Sequence, residues 1–166
     1  MGIKKSLAWT TPMVTAAAAI GSVATQDGME SRWYKSLKKP AIQPPAVVFP
    51  IAWTSLYAAI AGSAATVDAE LGARPTKEAA RTRRNFRIAL LINMILNGGW
   101  SWVFFRWHKL PQATLFAGIL ALSSADLTRR AAAVKSGAGA AMAPYAAWTA
   151  FATVLTGAVW RKNPKK

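Results

Sequence analysis

The sequence has no cysteine, a single histidine, and only 6 acidic residues among 166. Without cysteine there is no disulfide framework, no thiolate nucleophile and no cysteine-ligated metal site. The few carboxylates are scattered, and none are paired inside an apolar stretch. No cluster has metal-ligand spacing, no Ser/His/Asp pattern stands out, and no glycine-rich phosphate loop is present. The lone His108 sits in a short connection and reads as a solvated side chain. This inventory supports binding better than catalysis, and it implies neither a metal nor a required cofactor.

Charge is the next scarcity. Charged residues make up 16% of the chain, against about 25% in an average soluble protein. Residues 6–26, 40–67, 88–105, 110–125 and 136–160 carry no charge at all. A helix crossing the hydrocarbon core needs about 20 mostly apolar residues. The 110–125 run reaches that length if it continues past Asp126 toward Arg129. The pattern predicts an all-α membrane protein, a bundle of five transmembrane helices at about 6–25, 45–66, 87–105, 110–129 and 139–160. Residues 1–166 then form one domain. A soluble protein with buried helices would lack the polar surface to cover such a core. The mean hydropathy is only +0.20 because alanine fills many of these positions. The first run is longer than the roughly 7–15 residues of a signal-peptide core, so it reads as a helix.

The net charge is +15. The basic residues punctuate the helix ends rather than forming one stripe, which argues against nucleic acid as a partner. They suit anionic headgroups, at about 1 kcal/mol each. Orientation does not follow, because five crossings put 11 basic residues on one face and 10 on the other. The positive-inside rule needs an asymmetry.

The connections differ in kind. Residues 106–109 join two helices tightly, and Pro111 suits the first turn of the next helix. Residues 67–86, with Asp68, Glu70, Arg74, Lys77 and Glu78, read as a solvated loop. Residues 26–44 hold Trp33, Tyr34, Pro40 and Pro44, too stiff and aromatic for disorder, and read as an ordered loop acting as a lid. Asp126 lies one turn before Arg129 and Arg130, as an ion pair would require. Small residues recur every four positions at Ala113–Ala117–Ala121–Ala125, Ala17–Gly21 and Ala58–Gly62, faces along which membrane helices approach closely.

Polar and aromatic stripes run inside the apolar segments. Asn93, Asn97, Trp100 and Phe104 share one helical face; so do Trp53 and Tyr57, and Tyr145, Trp148 and Ala152. Asparagine amides in hydrocarbon must find partners, either as interhelical bonds or at a cavity. Wide aromatic walls with a few amides describe a pocket for a flat apolar ligand. Pro144 and Pro50 would each free a backbone carbonyl within such a site.

Three stretches, "WYKSLKKPAIQPPAVVFPIAWTSLY", "NMILNGGWSWVFF" and "PYAAWTAFATVL", together resemble the tryptophan-rich sensory protein/translocator protein family, whose eukaryotic members are also called peripheral-type benzodiazepine receptors. The first matches that family's pattern through Trp33, Tyr34, Leu37, Lys39, Pro40, Pro44, Pro45, Val48, Phe49, Trp53 and Tyr57. The resemblance implies a five-helix bundle, usually a homodimer, in a bacterial cytoplasmic or outer membrane or the mitochondrial outer membrane, and a bacterial cell membrane is the setting expected here. It implies porphyrin or haem as ligand, with sterols or isoquinoline-type compounds as further candidates. The implied lining is Tyr34, Trp53, Tyr57, Asn93, Asn97, Trp100, Trp148, Phe151 and Ala152. Two positions depart from the pattern. Thr156 stands where many relatives have Asn, and "LTGAVWR" lacks the tyrosine of the eukaryotic sterol motif.

These features support a membrane receptor or carrier for porphyrin-type tetrapyrroles, with a sensory or transport role. Two alternatives use the same pocket. One is an enzyme degrading porphyrin oxidatively in light, with Trp53 and Trp148 as its catalytic residues. The other is a ligand-regulated membrane scaffold.

Overall fold

The computed structural model describes residues 2–165, and they form helices and no strand. Five long helices, α1 (Ile3–Glu30), α3 (Val48–Gly72), α4 (Lys77–Ser101), α5 (Leu110–Val134) and α6 (Ser136–Lys162), pack side by side, and α2 (Arg32–Lys35) is a single turn. α4 continues as a π-helical turn, Trp102–Arg106, marked by a 3.0 Å bond from the Trp107 N–H to the Trp102 carbonyl. Helices α1, α3, α4 with its π turn, and α5 are long and apolar enough to cross a membrane. The fifth long helix, α6, is not among them, because alanine, glycine, threonine and ring-bearing residues dominate it rather than leucine or isoleucine.

Every long helix runs past its sequence-predicted bounds at one end or both, although α3 starts at Val48 rather than 45, and two connections change character. Residues 67–86 are not a solvated loop; α3 runs to Gly72, α4 begins at Lys77, and only 73–76 connect them. Thr76 caps α4, its hydroxyl accepting the Ala79 N–H at 3.1 Å, with Glu78 in the first turn. Asp68 is fully buried in α3. Its carboxylate accepts from Arg83 Nε (2.8 Å), Arg87 Nε (2.6 Å), Ser6 Oγ (2.7 Å) and Trp9 Nε1 (3.2 Å). A buried carboxylate persists only when charges and donors compensate it, and this cluster joins α1, α3 and α4. Asp126 behaves as expected, pairing with Arg129 at 2.7 Å and with Arg130. Pro50 does not interrupt a helix; it stands in the first turn of α3, where its missing N–H leaves no gap.

Residues 26–44 are partly helical: α1 ends at Glu30 and Ser31 caps α2 by accepting the Tyr34 N–H at 3.1 Å. The irregular part, 36–47, is tied down by Asn163, just beyond α6. Asn163 Oδ1 accepts the Lys38 N–H at 2.9 Å, and Asn163 Nδ2 donates to the Lys38 carbonyl at 3.0 Å. His108 is not simply solvated. Its backbone adopts φ 55°, turning the chain into α5, and its ring stacks on Trp33 with centroids 4.0 Å apart.

Small residues set the helix spacing. Ala17, Gly21, Ala24 and Gly28 are buried along one edge of α1. A Cβ on Gly28 would overlap that of Phe105, and one on Gly139 would overlap that of Ala132. Ala113 and Ala117 are buried in α5, whereas Ala58 on α3 faces outward. Ile95, Leu115, Leu122, Ile51 and Val154 are all more than 60% exposed. Such a belt is a liability in water and is what lipid contact requires.

Candidate ligand-binding site

A cavity of about 630 Å³ lies among α1, α3, α4 and α6, with Tyr34 and Ala46 at its edge, within the roughly 300–1,000 Å³ of small-molecule sites. α3 presents Phe49, Trp53 and Tyr57 at four-residue intervals, and α6 presents Trp148, Phe151 and Ala152. Trp53 stacks on Tyr57 (centroids 5.4 Å) and meets Trp148 edge to face (6.4 Å, 85°). Phe49 meets Trp148 from the other side, at 6.0 Å and 73°. α4 adds Asn97 and Trp100, the π turn adds Phe105, and Tyr34 reaches in from α2. No lining residue is charged.

The polar groups form one chain. Tyr57 Oη donates to Asn97 Oδ1 at 2.6 Å, and Asn97 Nδ2 donates to Tyr145 Oη at 3.0 Å. Tyr145 Oη donates to Asn93 Oδ1 at 2.7 Å. Asn93 Nδ2 then donates to Ser123 Oγ (3.0 Å) and Ser124 Oγ (3.1 Å) on α5. Four helices are linked this way, and both asparagine amides are oriented by their partners. Trp100 Nε1 is buried without a partner. Burial raises the Tyr34 phenol above its usual range, partly offset by its bond from Gln43, so Tyr34 stays neutral. Lys39 Nζ lies 4.5 Å above the Tyr34 ring, a cation–π contact at the cavity's lip. Among the described residues no three His, Cys, Asp or Glu side chains gather as a metal site would need.

Of the sequence-predicted residues, Tyr34, Trp53, Tyr57, Asn97, Trp100, Trp148, Phe151 and Ala152 share the wall of this one cavity. Asn93 does not reach it: the residue is fully buried, and its amide is consumed by Tyr145 and α5. Sequence reasoning missed the whole α1 wall, including Thr15, Ala19 and Ser22, because small and hydroxyl side chains carry no signal of a site. Phe105 was missed for a different reason. A helical spacing puts Phe104 with Asn97 and Trp100, but the π turn rotates the chain. Phe104 keeps its predicted neighbour, stacking on Trp100 (5.5 Å), but its far side packs on Trp33 (5.9 Å) outside the cavity lining, and Phe105 faces the cavity. Thr156, the departure from the family pattern, also lines the cavity, its hydroxyl bonded to the Ala152 carbonyl.

These features define an all-helical membrane protein with an uncharged, ring-lined cavity inside its bundle. The chain belongs to the TspO/MBR family, whose pattern matches residues 8–161. It is 34% identical over 132 residues to protein CrtK of Rhodobacter capsulatus, covering 80% of this chain and 79% of that one. It is 32% identical over 152 residues to the tryptophan-rich sensory protein of Cereibacter sphaeroides, covering 90% of each. It is 31% identical over 137 residues to the translocator protein of Ovis aries, covering 80% and 75%.

Proposed function

We propose that this protein is a membrane receptor or carrier that binds a porphyrin-type tetrapyrrole in the cavity, with a sensory or transport role. One observation carries the reading: Trp53, Trp100 and Trp148 converge with Tyr34 and Tyr57 on an uncharged space large enough for a flat macrocycle. Aromatic faces stack on such a ligand, and the Trp100 N–H is a donor without a partner in the protein. The exposed Lys35, Lys38 and Lys39 lie beside the cavity roof, where they suit propionate groups. Haem, sterols and isoquinoline-type compounds are the competing ligands to run in parallel. The names sensory protein and translocator protein among the relatives agree with this reading, and its bacterial relatives support a bacterial cell membrane as the setting. A homodimer is part of the proposal.

The test is a titration of purified protein with protoporphyrin, followed by tryptophan fluorescence. Saturable quenching that Trp53→Phe and Trp148→Phe both weaken is the expected result; equal affinity in all three proteins sinks the assigned pocket. The enzymatic reading has one observation in its favour, the edge-to-face contact of Trp53 and Trp148. Porphyrin bleaching in light no faster than with an unrelated membrane protein removes it.

A further inference from the structure

The cavity has two boundaries that a ligand can cross, the side of α2 and the segment after it, where Tyr34 and Ala46 line it, and the seam between α1 and α3. The first is fastened. Asn163 holds both backbone groups of Lys38, Trp33 lies on His108 at 4.0 Å, and Tyr34 packs on Phe105 at 5.5 Å.

The seam is different. On α1 the cavity-lining residues Thr15, Ala19, Ser22 and Gln26 are all exposed, and their spacing puts them along one edge of the helix. Facing them on α3, the lining residues Pro50 and Thr54 are exposed four positions apart. Every lining residue from α4 and α6 is buried or half-buried. The cavity is therefore open along the seam and walled elsewhere.

The edges of that opening are made for hydrocarbon. Residues 15–26 and 46–58 contain no charged side chain. Ile20 and Val23 on α1, and Val47 and Ile51 at the start of α3, are exposed beside it. Three hydroxyls on the seam have spent their protons within their own helices: Ser22 Oγ donates to the Ala19 carbonyl (2.9 Å), Thr25 Oγ1 to Gly21 (2.9 Å) and Thr54 Oγ1 to Pro50 (2.8 Å). Internal satisfaction of polar groups is the condition for facing lipid. A water-facing mouth needs no such economy.

We propose that the α1/α3 seam is a lateral portal, through which the cavity takes a ligand already dissolved in the bilayer while the lid stays closed. The proposal rests on the binding reading for what the ligand is, and adds that it must partition into hydrocarbon before binding.

The chain's lack of cysteine makes the route measurable without any porphyrin. Ala152→Cys places one thiol on the α6 wall, across the cavity from the seam. In proteoliposomes, an N-alkyl maleimide dissolved in the lipid is expected to label this thiol at least roughly tenfold faster than a charged, water-soluble thiol reagent, because fixed charge is excluded from hydrocarbon. Adding Ser22→Trp or Thr54→Trp, each of which fills the seam from an exposed position, is expected to cut the lipid-phase rate about fivefold or more. Adding Asn163→Ala, which unfastens the lid, is expected to leave it within about twofold. Labelling that ignores both tryptophans, or that Asn163→Ala accelerates strongly, places the route under the lid and overturns the proposal. That result would leave the porphyrin titration untouched, and a failed titration would leave this labelling pattern untouched.

Discussion

Asn163 grips the peptide of Lys38 from both sides, accepting its N–H and donating to its carbonyl across 125 positions of sequence. A side-chain amide used this way replaces a backbone partner. The irregular 36–47 segment has few others, so its order depends on a residue beyond the last helix.

Asn163→Ala should therefore loosen the segment without unfolding the bundle. Two hydrogen bonds of about 0.5–1.5 kcal/mol each are lost. Amide exchange across 36–47, read by mass spectrometry in detergent, should quicken about tenfold or more, while α4 and α5 stay protected. Unchanged exchange would mean that the ring contacts of Trp33 and Tyr34 suffice.

Tyr145→Phe should cost more stability than Tyr57→Phe. Tyr145 is fully buried and stands between two asparagines, so its loss strands both amides at about 1–3 kcal/mol per group. Tyr57 is half-buried and makes one of these bonds, to Asn97. Thermal unfolding of the three proteins in one detergent gives the order, and a Tyr57 variant below the Tyr145 variant would contradict it.

Asp68→Asn and Asp126→Asn should differ sharply. Removing one partner of a buried ion pair costs about 3–5 kcal/mol, and Asp68 holds two guanidiniums at 0% exposure. Asp126 is 39% exposed and holds its arginines at the surface, worth at most about 1 kcal/mol. The yield of monodisperse protein should collapse for the first variant only.

Gly28→Ala should destabilise by about 1–3 kcal/mol through overpacking, because the new methyl would overlap Phe105. Gly62→Ala is its control: a Cβ there meets nothing within 4 Å. Paired melting curves decide it, and equal losses would refute the close contact of α1 with the π turn.

The sequence displayed the aromatic half of the cavity because tryptophan and tyrosine repeat at helical spacing inside uncharged runs. Trp53, Tyr57, Trp148 and Ala152 could be placed together on that ground alone. Tyr34 and Phe151 came from the family pattern, not from spacing. Asn93 went astray because periodicity fixes which residues share a face, while Tyr145 determines how far along that face the cavity extends. The α1 wall was invisible, since Ala19 and Ser22 resemble packing residues. Charge does not mean solvent at these helix ends: Asp68 and Arg83 look like loop residues, and Arg87 like a helix terminus, until their mutual compensation is seen.

That compensation also constrains how the chain is made. Asp68 lies in the last turns of α3 and its two arginines in the opening turns of α4, with only 73–76 between the helices. Inserted singly, each helix would bring unpaired charge toward the hydrocarbon, at roughly 2.5–3.5 kcal/mol per group near a helix centre. Inserted as a hairpin, the two bring a salt bridge already formed. Biosynthesis of this bundle therefore favours handing α3 and α4 to the membrane as one unit, with α1, made earlier, closing on them through Ser6 and Trp9.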